Sequence, residues 1–535
     1  MTPDELQSAV EQLFRLNNYD VTGPLQLDGA SVDVKATPRG GLFPRAVYVE
    51  VTTQRVDVTK FGKDLTKFHA CRTETPDCDF LIVSTRGFTE GLEHRAPAGV
   101  RLLTYDQLFT QFEKFSAYEH AVLSEGRLFD ELKRLAAVYE EPEFTDPVVP
   151  AISELDTWLT APNSDPWLIV VGEYGTGKTA LSKMLLRRWM AQHKRMPERP
   201  VPVRIELRDF VRQFDAVSLL HRFLDQNALG HVPVDFFYSL IRQGRIVLIL
   251  DGYDEMAQYM HIQERRVCLE ALAELGRDGA RGLLTSRPNY FSEAEELTVL
   301  ETLYSTVRLE TDGDDSEMAL DELFEHHFVQ RRERRLRDLT PAQTAALVER
   351  RLGAGTTAAA TVISLLEKVA RPSEEGNVSL SGKPVIISYL VDLADTLSST
   401  GDAKSITEYQ CFGMIIDKLM QRDRARAGVL STSERRFFLQ SLASRLSTGR
   451  NNVATEDHLL ELIDDVFQKR LQRIPLQERQ AERQRLLADL RSSATLTRRM
   501  REGREGWEFS HNSLREYLVT EHLLHSLDAG EAPRV

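Results

Sequence analysis

Pro166 to Trp189 reads PWLIVVGEYGTGKTALSKMLLRRW. Trp167 to Val171 is a short apolar run bounded by a turn signal, the pattern of a buried strand. Gly172-Glu173-Tyr174-Gly175-Thr176-Gly177 follows. Lys178-Thr179 then opens a segment with Leu181, Met184, Leu185 and Trp189 at helical spacing. Strand, glycine-rich turn and helix in that order are what a phosphate-binding P-loop requires. Glycine lets successive backbone N–H groups converge on one concavity, and the helix N-terminus adds partial positive charge. On this reading Gly172, Gly175, Thr176 and Gly177 form the cradle, Lys178 reaches the β- and γ-phosphates of ATP or ADP, and the Thr179 hydroxyl holds Mg²⁺. The flanking strand and helix separate this stretch from a chance match in a surface loop.

Around that centre lie 535 residues, room for three or four domains. With 42% apolar and 28% charged residues the composition is that of a globular protein. A formal charge of −14 excludes a surface that is basic throughout, so contact with nucleic acid requires a local patch. Cys71, Cys78, Cys268 and Cys411 lack metal-ligand spacing and point to reduced thiols in a cytoplasm. No apolar run approaches the roughly 18 residues of a membrane-spanning helix, and the first ten residues are too polar for a signal peptide. Repeats of solenoid or propeller period are absent from the sequence.

From about residue 151 to 310 strands alternate with helices, which predicts a parallel sheet covered on both faces. Arg245 to Leu250 is a second apolar strand and delivers Asp251 at its C-terminal end, followed by Gly252-Tyr253-Asp254-Glu255. In this Walker B arrangement Asp251 holds Mg²⁺ through water, and Asp254 or Glu255 orients the hydrolytic water. A third strand, Gly282 to Thr285, ends in Ser286-Arg287-Pro288, which places Arg287 beside the γ-phosphate.

These segments resemble the NACHT family of STAND NTPases, signalling P-loop ATPases that act as switches. The resemblance rests on GEYGTGKT, on Val201 to Phe210 (VPVRIELRDF), on LILDGYDEM and on LTSRPNYF, in the family's order. It implies slow ATP hydrolysis and further elements downstream. Helices dominate after about residue 311. Pro384, in Lys383-Pro384-Val385-Ile386, stands where the family's first helical domain packs a proline near the adenine; a helix-initiating proline fits the local sequence as well. Trp507 to Leu518 is similar to the family's winged-helix signature FxHxSxxEYL, and the resemblance assigns His511 to the β-phosphate of ADP in a closed state. Arg331, Arg332, Arg334, Arg335 and Arg337 read as a solvated helix face. The chain ends some twenty residues beyond the winged-helix signature, where larger relatives continue into ligand-sensing repeats; sensing by the core, sensing by a partner and a truncated chain all fit.

Upstream, an amphipathic helix with Leu6, Val10, Leu13 and Phe14 on one face opens the chain. Val32 to Lys35 and Ala46 to Thr52 are predicted strands of a hairpin that sets Asp33 beside Glu50, where two carboxylates can share a divalent metal. A helix over Thr59–Cys71 and strands at Phe80–Val83 and Val100–Leu103 complete an α/β unit. This order resembles the Mrr-like branch of the restriction-endonuclease-like fold, with signature PD-(D/E)xK. Asp33 and Glu50 match its acids; Thr52 stands where the family has lysine, and Lys35, Gln54 and Lys60 are the candidate substitutes. Ordinary polar residues at strand ends are the alternative for the two acids.

The expected architecture is α/β and multidomain: a restriction-endonuclease-like domain over residues 1–113, a helical linker over 114–150, a nucleotide-binding domain with a parallel P-loop NTPase sheet over 151–310, a helical domain over 311–400 and a winged-helix domain over 401–535. What the resemblances imply together is an ATP/ADP-dependent switch of bacterial antiphage defence. It would self-associate on activation by an unknown trigger and bring nuclease-like domains together on DNA. Alternatives are a catalytically dead N-terminal binding module and a DNA-translocating restriction ATPase.

Overall fold

The computed structural model describes residues 2–27, 29–40, 45–112, 115–161, 165–207, 215–257, 267–268, 271–272, 274–276, 279–287, 332–369, 380–394, 406–427, 429–448, 453–491, 493, 495–501 and 504–528. The sensor stretch from Pro288 onward, Arg331, the segment from residue 208 to 214 and the side chain of Glu255 lie outside the described residues.

The N-terminal unit is built on a five-stranded sheet. Helix α1 (Pro3–Leu16), capped by Thr2 and Glu5, precedes strands β1 (Tyr19–Thr22), β2 (Leu25–Leu27), β3 (Ala30–Val32), β4 (Val34–Pro38) and β5 (Val47–Thr52). Helix α2 (Val58–Glu74), strand β6 (Asp79–Ser84) and strand β7 (Val100–Thr104) follow, and the strand order is β1-β4-β5-β6-β7. Pairing is antiparallel from β1 to β5 and parallel from β5 to β7. Alternate residues of a strand face opposite sides. Val49, Leu81 and Val83 therefore pack on α1, while Tyr48, Phe80 and Ile82 pack with Phe61, Phe68 and Cys71 of α2. Glu50 shares the α2 face with Tyr48. The expected strand Val32–Lys35 is broken at Asp33: β3 pairs with β2 in a separate ladder, and β4 joins the main sheet. The break frees Asp33 for other bonds, since Val51 N–H donates to its carboxylate and Gln7 to its carbonyl.

Residues expected to act as a connector are packed. Helices α3 (Tyr105–Gln111), α4 (Ser116–Leu123) and α5 (Arg127–Val138) lead into it. Tyr118 is buried edge-on to Phe223 at 5.4 Å, and Phe115 meets Phe237 at 6.0 Å. The segment expected to be a helical linker thus contributes to the next unit's core, with Leu132 buried in it and Leu123 and Leu128 packed against it.

That unit contains the short ladder β8 (Glu143–Phe144) and β9 (Val149–Pro150), helix α6 (Ala151–Thr160), strand β10 (Trp167–Val171), helix α7 (Lys178–Arg195), strand β11 (Val201–Glu206), helices α8 (Ala216–Gln226) and α9 (Val234–Arg242), strand β12 (Ile246–Asp251), helix α10 (Tyr253–Ala257) and strand β13 (Arg281–Ser286). The fifth strand, β14, is Arg332–Arg335, so the sheet continues past residue 310 in the order β11-β12-β13-β10-β14, all parallel. The expected solvated helix face is therefore an edge strand. Its arginines are held by acids on the surrounding elements: Arg334 by Glu154 at 2.7 Å, Arg335 by Glu173 at 3.6 Å, and Arg337, just beyond it, by Glu143 at 3.8 Å. Charge on an edge also discourages pairing with other chains.

The remainder is mainly helical. Its described elements are α11 (Pro341–Leu352), α12 (Thr357–Lys368), α13 (Pro384–Asp392), α14 (Glu408–Ala427), α15 (Thr432–Thr448), α16 (Glu456–Val466), α17 (Gln468–Gln472), α18 (Leu476–Arg491) and α19 (Asn512–Asp528). A small antiparallel sheet, β15 (Ala454–Thr455), β16 (Leu496–Arg501) and β17 (Arg504–Phe509), in the order β15-β17-β16, precedes α19. Arg435, fully buried, lies 3.2 Å from Asp423 and donates to Asp489, joining α14, α15 and α18.

Candidate functional site

The turn after β10 is fixed from both ends. Gly172 N–H donates to Ser286 O at 3.1 Å, tying the turn to the end of β13. Gly175 and Gly177 have φ of +78° and +97°, the left-handed region that glycine enters without strain. A Cβ on Gly175 would stand 2.2 Å from Val385 Cγ1, and Val385 N–H approaches Gly175 O at 3.4 Å. Helix α7 begins at Lys178, whose Nζ donates to Gly172 O at 2.6 Å and lies 3.3 Å from Glu173 O. Thr176 Oγ1 donates to Glu173 O at 3.0 Å. The predicted cradle residues thus form one turn, with a cation folded over it.

Parallel pairing brings the C-terminal ends of β12 and β13 beside that of β10. Asp251 Oδ1 accepts from Thr285 Oγ1 at 2.7 Å, and Oδ2 accepts from Arg204 at 2.5 Å. Arg204 also bonds Glu206 and Ser182, both at 2.9 Å, so the Asp251 carboxylate is gripped from β11 and β13, with Ser182 of α7 steadying Arg204. Asp254 Oδ2 lies 2.8 Å from Arg287 Nε; its Oδ1 is buried and has no hydrogen-bond partner among the described residues. The donor set fits Mg²⁺ in a specific way. Both oxygens of Asp251 are engaged, so a metal ion here would meet Asp251 through water. The Thr179 hydroxyl and the orphaned Asp254 oxygen remain on the cavity wall.

A cavity of about 310 Å³ opens at this turn. One wall holds Gly175 to Thr179, Gly252, Asp254, Thr285 and Arg287. Apolar groups from α5 and the later helices close the other, among them Leu135, Val138, Leu347 and Pro384. Pro384, predicted from the resemblance, is placed here, its Cγ 3.7 Å from where a Gly177 Cβ would stand. Two arginines that the sequence reading did not single out also line the cavity. Arg351 donates to Ser388 Oγ at 2.7 Å, and Arg422 donates to the Tyr174 hydroxyl. Arg204 was inside a quoted motif without a role. Arg351 and Arg422 carry no local signal, because a helical arginine reads as solvated. His511 does not line the cavity: its Nδ1 accepts from Ser513 N–H at 3.2 Å at the start of α19. Its neighbours Ser510 and Leu514 border a smaller cavity together with Glu173 and Tyr174.

In the N-terminal unit Asp33 Oδ2 accepts from Val51 N–H at 2.8 Å, which sets its carboxylate next to Glu50. Glu50 is 5% exposed and Oε2 lacks a partner among the described residues, while Oε1 accepts from Lys67 of α2. Burial, and to a lesser degree Asp33 and Asp64, push the Glu50 carboxyl up to about 7 against the pull of Lys67. Asp64, one turn before Lys67, is buried with Oδ2 unpartnered and its carboxyl raised, chiefly by burial. Lys35 is displaced from the pair. It sits opposite Tyr48 in the β4–β5 register, two residues along the strand from Glu50, and its Nζ bonds Glu74 at 3.0 Å. The lysine that meets Glu50 comes from the helix above. Among the described residues no group of three or more His, Cys, Asp or Glu side chains is arranged to hold a metal, so the acids here form a two-carboxylate set.

Residues 167–349 match the family model of the NACHT domain. An uncharacterized WD repeat-containing protein of Nostoc sp. (strain PCC 7120) is 33% identical over 147 residues, 26% of this chain. The chain spans 10% of the length of that relative. Among solved structures, the ORC2 protein of Aeropyrum pernix in ADPNP–ADP complexes matches at 14% identity and a TM-score of 0.31, covering 78% of this chain and 99% of that one. The ORC1 protein of Aeropyrum pernix in complex with DNA matches at 14% identity and a TM-score of 0.34, covering 76% and 98%. The chain therefore carries a NACHT P-loop NTPase domain at residues 167–349, a domain type that binds nucleotide. Among the described residues no helix is long and apolar enough to cross a membrane.

Proposed function

We propose that the chain is a nucleotide-dependent switch whose cavity is closed by its C-terminal helices and whose N-terminal unit is a metal-dependent nuclease acting on DNA. The observation that carries the switch is the composition of the cavity wall. Strand ends of the NACHT sheet supply Lys178, Asp254 and Arg287, while Pro384 and Arg422 come from helices beyond it. A ligand held by both would bias their relative position, the requirement for a ligand-driven change of state. The backbone of Gly175 to Thr179 and the Lys178 ammonium would bind the phosphates. The apolar wall around Pro384 would take the base. Arg287 would face the terminal phosphate, and the unpartnered oxygen of Asp254 would accept a hydrogen bond from the attacking water, with Glu255 the second candidate for that role. Held by Thr179 and, through water, by Asp251, Mg²⁺ would offset the charge of the phosphates.

ADP would keep the C-terminal helices against the NACHT domain, with His511 contributing from the start of α19 on the far side of Tyr174. ATP would release them and expose a surface for self-association, and the assembled N-terminal units would engage DNA in an antiphage response. Support for cleavage comes from Lys67, which brings an ammonium to Glu50 where Thr52 cannot. A recruitment module that binds without cleaving is the second reading, favoured by the two-carboxylate set.

Lys178→Ala tests the core of the proposal. Loss of a charge-assisted contact to phosphate is expected to weaken ADP and ATP by about 1.5–3 kcal/mol, roughly ten- to a hundredfold. Titration with a fluorescent nucleotide measures it, and wild-type affinity in the variant would mean that the phosphates bind elsewhere.

A further inference from the structure

We propose that Arg422 of α14 is a phosphate ligand of the P-loop cavity, joining the C-terminal helices directly to the bound nucleotide. This rests on the reading of the cavity as a nucleotide site and adds a residue that no motif supplies. Among the described residues the wall of the cavity carries four cations, Lys178, Arg287, Arg351 and Arg422, and two acids, Glu140 and Asp254. Both acids already face arginines, Glu140 meeting Arg350 and Asp254 meeting Arg287. A chain with a net charge of −14 has thus gathered positive charge at one concavity, which suits a polyphosphate.

Arg422 is placed at the phosphate end of that cavity. Its Cζ lies 5.2 Å from the centroid of the Tyr174 ring, and Arg287 Cζ lies 5.3 Å from the same ring. Tyr174 is in the glycine turn itself, two residues after Gly172. Both guanidinium groups therefore approach the same ring of the turn, and Arg287 also faces Asp254. Arg422 Nη1 donates to the Tyr174 hydroxyl and stands 3.5 Å from the Tyr389 hydroxyl. Both are neutral acceptors. Exchanging a neutral oxygen for a phosphate oxygen adds the attraction of an ion pair to bonds whose donor is already charged. Five N–H donors let the guanidinium keep the ring contact while it turns toward the ligand. Since α14 lies well beyond the NACHT sheet in sequence and packs among the C-terminal helices, phosphate held by Arg422 would fasten that region to the P-loop.

Fluorescent ADP and a nonhydrolysable ATP analogue, titrated with Mg²⁺ into wild type, Arg422→Gln, Arg422→Lys, Tyr174→Phe and Lys178→Ala, test this. Arg422→Gln is expected to lower affinity for at least one nucleotide by roughly tenfold or more, with a smaller loss for Arg422→Lys, which keeps charge without the fork. Tyr174→Phe keeps the ring, removes the competing hydroxyl and is expected to bind as tightly as wild type or tighter. If Arg422→Gln does not fold, Arg422→Lys carries the test, and a few-fold loss in it is still required. Wild-type affinity in both Arg422 variants, with binding lost in Lys178→Ala, overturns the role of Arg422 and leaves the nucleotide site standing. A fall in the melting temperature of nucleotide-free Arg422→Gln with unchanged affinity assigns Arg422 to packing alone and also overturns it. Absence of binding in wild type removes the nucleotide reading itself, and this inference with it.

Discussion

Glu50 illustrates how one position can decide what a unit does. Its carboxyl sits under α2 with one oxygen on Lys67 and the other unpartnered, and burial raises it from its ordinary value of 4.5 to about 7. A folded-state value above the unfolded one means that the folded chain holds the proton more tightly. The stability contributed is therefore present below about 4.5 and is lost as pH climbs through 7. Glu50→Gln removes the titration, so its melting temperature relative to wild type should be higher at pH 8 than at pH 5.5; equal differences at both would place Glu50 outside such a burial. Binding of a divalent cation has the opposite demand, because the carboxylate must be charged. Mn²⁺ affinity and any metal-dependent nicking of plasmid DNA should rise between pH 6 and 8 and vanish in Asp33→Ala or Glu50→Ala; in Lys67→Met the pH dependence of Mn²⁺ affinity should shift to higher pH and nicking should fall. A nicking profile independent of pH in Lys67→Met and wild type alike would separate the chemistry from this pair. The sequence could not single out Lys67, since its ammonium reaches Glu50 from a helix 17 residues further on and only the crossing of α2 over β5 brings them together.

At the scale of elements, legibility followed burial. Strands β10, β12 and β13 lie in the middle of a parallel sheet; the first two read as apolar runs, β13 carries Leu283 and Leu284 at its centre, and the candidate site residues stand at or just beyond their ends. Strand β14 is at the edge, so Arg334 and Arg335 meet acids on neighbouring elements rather than a core, and the same run passes for a helix face. The connector was misjudged for a related reason: a leucine stripe shows that a helix face is covered without showing what covers it. The P-loop and α13 form a junction that only coordinates reveal, because Gly175 leaves room for Val385 and for nothing larger than hydrogen. Gly175→Ala adds left-handed strain and a Cβ 2.2 Å from Val385 Cγ1, and should destabilise the closed cavity by about 1–3 kcal/mol. Adding Val385→Ala removes the collision and leaves the strain, so the double variant should recover part of the nucleotide affinity lost in the single one. Double-mutant coupling near zero in a titration would show that α13 does not press on the turn.

For the molecule as a whole, the question is what a filled cavity does to the parts around it. The N-terminal unit is docked on the NACHT domain: Arg245, at the start of β12, pairs with Asp106 and lies 5.2 Å from the Phe109 ring. On the opposite side, Arg287 Nη1 reaches Leu496 O of β16 at 3.4 Å, so an arginine of the phosphate wall is also a contact to the C-terminal sheet. Asp254, Arg287 and Leu496 O form a chain from the cavity wall to that sheet, and a terminal phosphate that attracts Arg287 would compete with these two contacts. A triphosphate should therefore loosen the C-terminal region where a diphosphate leaves it seated. To move such an equilibrium from one dominant state to the other takes a differential affinity of about 5.5 kcal/mol, more than one arginine supplies and within reach of several acting together. Light scattering of the full chain with ADP and with a nonhydrolysable ATP analogue should show a larger mass in the second, with turnover slow and insensitive to DNA. Rapid DNA-stimulated hydrolysis at constant mass would describe a translocating ATPase instead, and an unchanged monomer with either nucleotide would mean that Arg287 never leaves Leu496.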